Sequence, residues 1–330
     1  MTHALDYQAI RSEAAVYARG SRIVELTGRD RQRLLEHVVA RSTEYAQPGT
    51  VLDSLVLDSD GRPIDLVLVL TDEHRVILLS DEEPSAGVLG ELESIATGLG
   101  LDDVCVTLRA DLSAVAVEGP LAWRVVGPLL DEDVAGLLLG EWRTAVIPGS
   151  EARAVIARTG TTAEYGYVVI AELAPEALAS WIGGLAEVEG GRVVDARAVV
   201  RARMEVDHPL PAGQFDGISV REAGAGWLAG VARLDSFRGR TDDEGELSRR
   251  LIAVVSEDDL QTGAEVRAVD VVVGRIQVVA PRVGQPTVIA LALLDRPFDV
   301  PGLTLGCGGA EVRTVSRPAV EPTSWVTPIS

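Results

Sequence analysis

The sequence predicts an α+β protein: two copies of one α+β unit, followed by a small all-β domain of barrel-like character. Three observations carry this. A short apolar alternation, a glycine and a segment of helical period occur in "IVELTGRDRQRLL" (Ile23–Leu35) and again in "VAVEGPLAWRVV" (Val115–Val126), with Gly28 and Gly119 91 positions apart. A strand, an acidic turn, a proline and a helix occur in "RVILLSDEEPSAGVLGEL" (Arg75–Leu92) and again in "GYVVIAELAPEALASWIGGL" (Gly166–Leu185), with Pro84 and Pro175 at the same offset. Two landmark types sharing one offset indicate duplication. Finally, "LIAVVS", "VDVVVGRIQVV" and "TVIALALL" are short β-like runs, separated by Gly, Pro and Asp, with no long helical period. That is the pattern of a small barrel.

Taken in order, the first copy opens with the strand and helix of Ile23–Leu35. It continues through "VLDSLVLDSDGRPIDLVLVL" (Val51–Leu70), which alternates on both sides of Asp60-Gly61 and so reads as a hairpin. It closes with Arg75–Leu92, and the second copy repeats the plan. The expected organisation is a duplicated region over 1–240, with lobes at about 20–110 and 112–240, and a β domain over 250–330. The polar, glycine-containing stretch "GRTDDEGELSRR" (Gly239–Arg250) marks the boundary, and the Pro-, Ser- and Thr-rich last dozen residues predict a loose tail.

Composition removes whole classes of function. The 330 residues are long enough to bury substantial cores without disulfides or metals. All 30 basic residues are arginine, and there is no lysine or asparagine, which excludes Schiff-base lysine chemistry and Walker-A loops. A net charge of −20 speaks against nucleic acid and anionic membranes as partners. No apolar run approaches the ~18 residues of a membrane span, and the N-terminus lacks a secretory pattern. With only Cys105 and Cys307, a cytoplasmic protein is expected. His3, His37, His74 and His208 are dispersed without metal-ligand spacing, so no metal site is expected and packing or solvated roles are assigned to them. "GAGWLAG" (Gly224–Gly230) lacks the strand-then-helix context of a dinucleotide loop, and "GCGG" (Gly306–Gly309) reads as a turn.

Candidate chemistry concentrates at three places. Asp65 sits four residues past the hairpin turn, ahead of five apolar residues, and is either a solvated turn residue or a partly buried functional one. "ARTGTTAEYGYVVI" (Ala157–Ile170) places Glu164 in a turn before a buried strand, and "VVRARMEVDHP" (Val199–Pro209) places Arg203 and Glu205 in a mostly apolar segment. Arginine offers a fixed fork of donors, and a carboxylate can accept from an aminopyrimidine edge. Together with Asp65 these would suit a heterocyclic ligand with an acidic tail. A structural ion pair of Arg203 with Glu205 or Glu164 accounts for the same residues.

At these residues the chain resembles the folate-binding aminomethyltransferase superfamily, typified by the glycine-cleavage T-protein. "SRIVELTGRDRQRLLEHVVA" is similar to that family's opening strand and helix, and "DGRPIDLVLV" to its G-G-I-x-D-D-L-I-V hairpin. "VAVEGPLAWRVV" resembles its second strand–helix, "TGTTAEYGY" its T-G-Y-T-G-E-x-G-[FY] turn, and "ARMEVDHPLP" its L-R-L-E-A-G-x-P segment. "VARLDSFRGR" resembles its K-x-x-F-I-G-R, and "VVVGRIQVVAPRVGQPTVIALALL" its barrel strand. The resemblance implies two related lobes around a central ligand cavity plus a β-barrel, and a tetrahydrofolate-dependent transfer of a methyl, methylene or aminomethyl group from a small or carrier-bound donor. Position by position, it implies that Asp65 is the catalytic aspartate, that Glu164 binds the pterin, and that Arg203, Tyr167 and Glu205 complete the folate site. Leu66 replaces the hairpin's second aspartate, Thr161 and Ala163 replace the Tyr and second Gly of the turn, Asp207 replaces the glycine of L-E-A-G, Asp235 a lysine and Ser80 an asparagine. The K-G-C-Y-x-G-Q signature of the iron–sulfur-assembly branch is absent from Leu234–Arg240. These departures leave two alternatives beside the transferase: a non-catalytic folate-binding or regulatory protein, and a folate-independent enzyme using the same cavity.

Overall fold

A computed structural model of the chain describes residues 2–20, 22–81, 87–147, 152–230, 233, 237–240 and 245–329. The landmark Pro84, the replaced lysine position Asp235 and part of the stretch Gly239–Arg250 lie outside the described residues. The chain begins with helix α1 (Thr2–Ser12) and strands β1 (Ala15–Ala18) and β2 (Arg22–Thr27), then helix α2 (Arg31–Val38). Strands β3 (Val51–Leu57), β4 (Pro63–Thr71) and β5 (Arg75–Ser80), helix α3 (Gly87–Gly98) and strand β6 (Cys105–Leu108) follow. The second half holds β7 (Ser113–Glu118), α4 (Ala122–Val126), β8 (Trp142–Val146), β9 (Arg153–Ala157), β10 (Gly166–Ala171), α5 (Pro175–Val188) and β11 (Arg192–Val193). Helices α6 (Ala196–Glu205) and α7 (Pro211–Gln214) lead to β12 (Arg249–Ser256), β13 (Glu265–Ala268), β14 (Val271–Val279), β15 (Val288–Asp295), β16 (Thr304–Cys307) and β17 (Ala310–Val315).

The two lobes are related. One sheet runs β3-β4-β5-β2-β6 and the other β8-β9-β10-β7-β1-β11. Arg22, Val51 and Arg75 open strands of the first, and Ser113, Trp142 and Gly166, each 91 positions on, open their counterparts. The turns after β2 and β7 share one local solution. Gly28 and Gly119 both have positive φ, at 94° and 138°. A Cβ there would lie 2.2 Å from the Asp103 carbonyl oxygen in one case and 2.4 Å from that of Glu13 in the other, so only glycine lets the neighbouring backbone approach. Asp103 precedes β6 and Glu13 precedes β1, which makes these two strands counterparts as well. Counted from Glu13 and Asp103, each repeat lends its first strand to the other repeat's sheet: β1 pairs antiparallel with β7, and β6 with β2.

Alternation along the strands sets four layers. Ile23, Leu68, Leu70, Ile77 and Leu79 of the first sheet pack against Ala114, Val155, Val168 and Ile170 of the second. The opposite face of the first sheet, with Val24, Leu26, Val67, Val69 and Leu78, is covered by Leu34 and Leu35 of α2 and Leu92 of α3. Likewise Val117, Tyr167 and Val169 meet Val125 of α4 and Leu178 and Ile182 of α5. Fully burying each such side chain contributes about 1.5–3 kcal/mol.

Strands β12 to β17 close into a six-stranded barrel, in the order β12-β15-β14-β13-β16-β17. Ile252, Val254, Ala290 and Ala292 point into it, while Leu251, Ala253, Leu291 and Leu293 pack outward against Met204, Leu210 and Phe215. Leu55, Leu57 and Leu66 of the first sheet join that same cluster, so α6 and the segment after it wedge between lobe and barrel. Gly308 and Gly309, both with positive φ, make the turn between β16 and β17. The tail departs from the sequence expectation. Ser324 is buried in a short 3-10 turn over Thr323–Trp325, because buried polar groups of the second lobe supply its partners.

Candidate functional site

Two buried polar clusters lie beside α6, and their chemistry differs. In the first, Glu205 accepts from Tyr7 Oη at 2.8 Å, Arg11 Nη2 at 3.0 Å and Arg201 Nε at 2.6 Å. Glu164 accepts from Arg11 Nη1 at 3.3 Å, from the Thr323 and Ser324 backbone N–H groups at 3.2 and 2.8 Å, and from Ser324 Oγ at 2.6 Å. Both carboxylates are therefore engaged by the protein itself, through α1, α6 and the C-terminal turn. Glu164 reaches them from a loop that wraps a further buried carboxylate, Glu118. That side chain accepts from Tyr17 Oη at 2.6 Å, from the Thr161 and Thr162 N–H groups at 2.9 Å each, and from both threonine hydroxyls.

Ala163, at the tip of that loop, has φ 62°, a left-handed conformation that costs an L-residue with a Cβ energy that glycine avoids. Asp207, φ 66°, follows the same pattern. Ala163→Gly is expected to raise unfolding stability by about 0.5–1 kcal/mol, read from the urea midpoint.

The second cluster lies where the two sheets and α6 meet. Arg19 follows β1, Asp53 lies on the inward face of β3, Asp81 follows β5, and Arg203 comes from α6. Arg19 Nε lies 2.9 Å from Asp81 Oδ1 and Arg203 Nη1 2.8 Å from Asp81 Oδ2, so one carboxylate sits between two guanidinium groups. Asp53 Oδ1 is 3.7 Å from Arg19 Nη2, and Thr159 Oγ1 donates to Asp53 Oδ2 at 3.4 Å. Arg203 Nη2 also donates to the Pro209 carbonyl. His208 is buried, with its ring edge-on to half-exposed Trp227 at 6.2 Å. Among the described residues, Arg19 Nη1, Arg203 Nε, His208 Nε2 and Asp53 Oδ1 have no hydrogen-bond partner.

Burial alone would raise the Asp81 pKa, but Arg19 and Arg203 outweigh it and hold the carboxyl well below its usual range. For Asp53 burial wins over Arg19, and the pKa rises. Burial, reinforced by Arg203 and Arg19, drives the His208 pKa well below its usual 6.5. A histidine that stays neutral when folded binds fewer protons than the unfolded chain below pH 6.5, so stability must fall on acidification through that value. We expect up to about 1.4 kcal/mol lost per pH unit from this source as pH falls below 6.5. The loss should be present in thermal melts of the native chain and absent from the His208→Gln variant.

The residues expected from the sequence are distributed as follows. Arg203 is in the second cluster, and Glu164 and Glu205 are in the first. Tyr167 packs in the apolar core of the second lobe against Val117 and Leu178, and burial pushes its pKa up to about 12. Asp65 is buried and accepts from Ser80 Oγ at 2.6 Å. It shares a strand face with Val67 and Val69, toward α2 and α3, whereas Leu66 faces the Met204 cluster. The Leu66 carbonyl accepts from Asp81 N at 2.9 Å, so Asp65-Leu66 clamps Ser80-Asp81 where β5 ends. Arg19, Asp53, Asp81 and His208 were not singled out as candidates. The available signal was a charged residue ending an apolar strand, as in "AVYAR" and "VILLSD". A surface groove of about 840 Å³ near α2, lined by Glu36, Arg41, Tyr45 and Arg233, adjoins the second cluster through Arg41, whose Nη1 donates to the Asp53 carbonyl at 3.5 Å. Among the described residues no acidic, histidine and cysteine groups assemble for a metal, and no helix is long and apolar enough to cross a membrane.

Comparison with known proteins places this geometry in context. The GCVT N-terminal domain family matches residues 2–232. An aminomethyltransferase of Geobacillus kaustophilus is 27% identical over 264 residues, covering 76% of this chain and 70% of that protein. One of Alkaliphilus oremlandii is 24% identical over 310 residues, covering 89% and 81%. The crystal structure of the glycine cleavage system aminomethyltransferase T from Bartonella henselae superposes with a TM-score of 0.79, at 17% identity, over 97% of this chain and 90% of that one.

Proposed function

We propose, from the premise that this chain belongs to the GCVT N-terminal domain family, that it is a one-carbon transferase working with tetrahydrofolate and a small or carrier-bound donor. The observation that carries this reading is the Arg19–Asp81–Arg203 cluster at the junction of the two sheets, with buried donors and acceptors left unused. Unused polar groups in a buried site are costly and call for a partner. The group fits this cluster in kind, since a polar heterocycle with an acidic tail needs both donors and acceptors. Asp53 and His208 would meet its polar ring atoms, with Arg203 beside them. When bound, tetrahydrofolate supplies the nucleophilic nitrogen that accepts the one-carbon unit. The protein contributes positioning and exclusion of water. We assign Asp65 a positioning role through Ser80 and Asp81, and Glu164 and Glu205 the role of anchoring α1 and the C-terminal turn.

A second reading, a folate-free reaction at the same junction, is favoured by one observation: the Glu164 and Glu205 carboxylates are already engaged by protein donors. Calorimetric titration with tetrahydrofolate separates the two. Saturable binding supports the transferase, and absence of binding supports the folate-free enzyme.

A further inference from the structure

We propose that the junction cluster is a carboxylate site, so that the donor is a small molecule carrying a free carboxylate that docks on Arg19 and Arg203. The word donor rests on the transferase reading; the site itself rests on geometry. Two guanidinium groups bracket Asp81, and each keeps an unused N–H, at Arg19 Nη1 and Arg203 Nε. The Arg19 and Arg203 side chains are 3% and 9% exposed, and His208, with its own unused Nε2, is buried beside them. In the neighbouring cluster around Glu205, both carboxylate oxygens have donors. The junction thus keeps an unused donor on each arginine, beside the unused Asp53 Oδ1, and a two-oxygen anion can accept from both arginines.

Charge narrows the class. Three cations, Arg19, Arg203 and Arg41, face the carboxylates of Asp81 and Asp53. With both carboxylates ionised the excess is one positive charge. That suits a monocarboxylate and is too little for a doubly charged phosphate. The groups facing Asp53 are Arg19, Asp81, Arg203, Arg41 and the Thr159 hydroxyl. A carboxylate arriving at Arg19 adds a like charge, so binding is expected to be accompanied by proton uptake.

The test is calorimetric titration of the full chain, in chloride-free buffer, with acetate and glycine as probes against acetamide and glycinamide, their counterparts without the carboxylate. Carboxylates are expected to bind at least about tenfold more tightly than the amides, a difference of about 1.4 kcal/mol. Repeating the titration in buffers of different ionisation enthalpy should show net proton uptake. Arg19→Gln should abolish the preference, and Arg19→Lys, which keeps the charge but not the fork, should reduce it. Should neither variant fold, the carboxylate-to-amide ratio of the native chain still decides. Equal affinities, or no saturable binding because water alone fills the junction, would overturn the assignment. If tetrahydrofolate binds and the carboxylates do not, only this inference falls. If the carboxylates bind and tetrahydrofolate does not, the carboxylate site stands and the transferase reading falls.

Discussion

Glu118→Ala is expected to lower unfolding stability by about 3–5 kcal/mol, the scale of leaving a buried polar cluster without its partner. The carboxylate organises the loop that carries Glu164: two backbone N–H groups, two threonine hydroxyls and the Tyr17 phenol all donate to it. Alanine takes the shared acceptor from five buried donors, of which only the Tyr17 and Thr161 hydroxyls keep each other at 3.0 Å, and each orphaned donor carries its desolvation cost. Typical domains are stable by about 5–15 kcal/mol, so the variant should be marginal. Urea unfolding of the two proteins gives the difference directly. A loss below about 1 kcal/mol would mean that the loop is held by packing alone.

Arg203→Gln is expected to lower one-carbon transfer at least about a hundredfold, the scale of misplaced reactants in a positioned site. Asp65→Asn is expected to lower it less than about tenfold, because an amide oxygen can still accept from Ser80 Oγ and keep Asp81 in place. The assay is formation of 5-methyl- or 5,10-methylene-tetrahydrofolate from a donor found by screening. The reverse order, a hundredfold loss at Asp65 with Arg203→Gln near normal, would restore Asp65 as the acid–base residue and remove the junction from the reaction.

The parts of this fold that depend on neighbours in sequence were legible in it. The glycine-marked strand–helix turns at Gly28 and Gly119 and the alternating runs of the barrel needed only local pattern. The exchange of β1 and β6 between lobes did not show, because which sheet accepts a strand of four residues is decided by distant backbone partners. Arg203 was singled out and lies in the junction. Its companions Arg19, Asp53, Asp81 and His208 are single polar residues, spread over nearly 190 positions of chain, that only the packing of two sheets brings together. Glu164 stands out in the sequence as a carboxylate in a turn before a buried strand, and Glu205 as one in a mostly apolar segment, both as candidates for a ligand. Their partners, Arg11 and the backbone of Thr323 and Ser324, come from the two ends of the chain, and at the C-terminal end sequence pattern pointed to a loose tail.

The most direct test of the central claim is titration of the purified chain with tetrahydrofolate, alongside Arg203→Gln and Glu164→Gln. The junction reading expects one saturable site with a dissociation constant between about 1 μM and 1 mM, the usual range for enzyme substrates. It also expects at least about tenfold weaker binding in Arg203→Gln, equivalent to about 1.4 kcal/mol, and little change in Glu164→Gln. No binding by the native chain, or binding lost in Glu164→Gln and retained in Arg203→Gln, would contradict it.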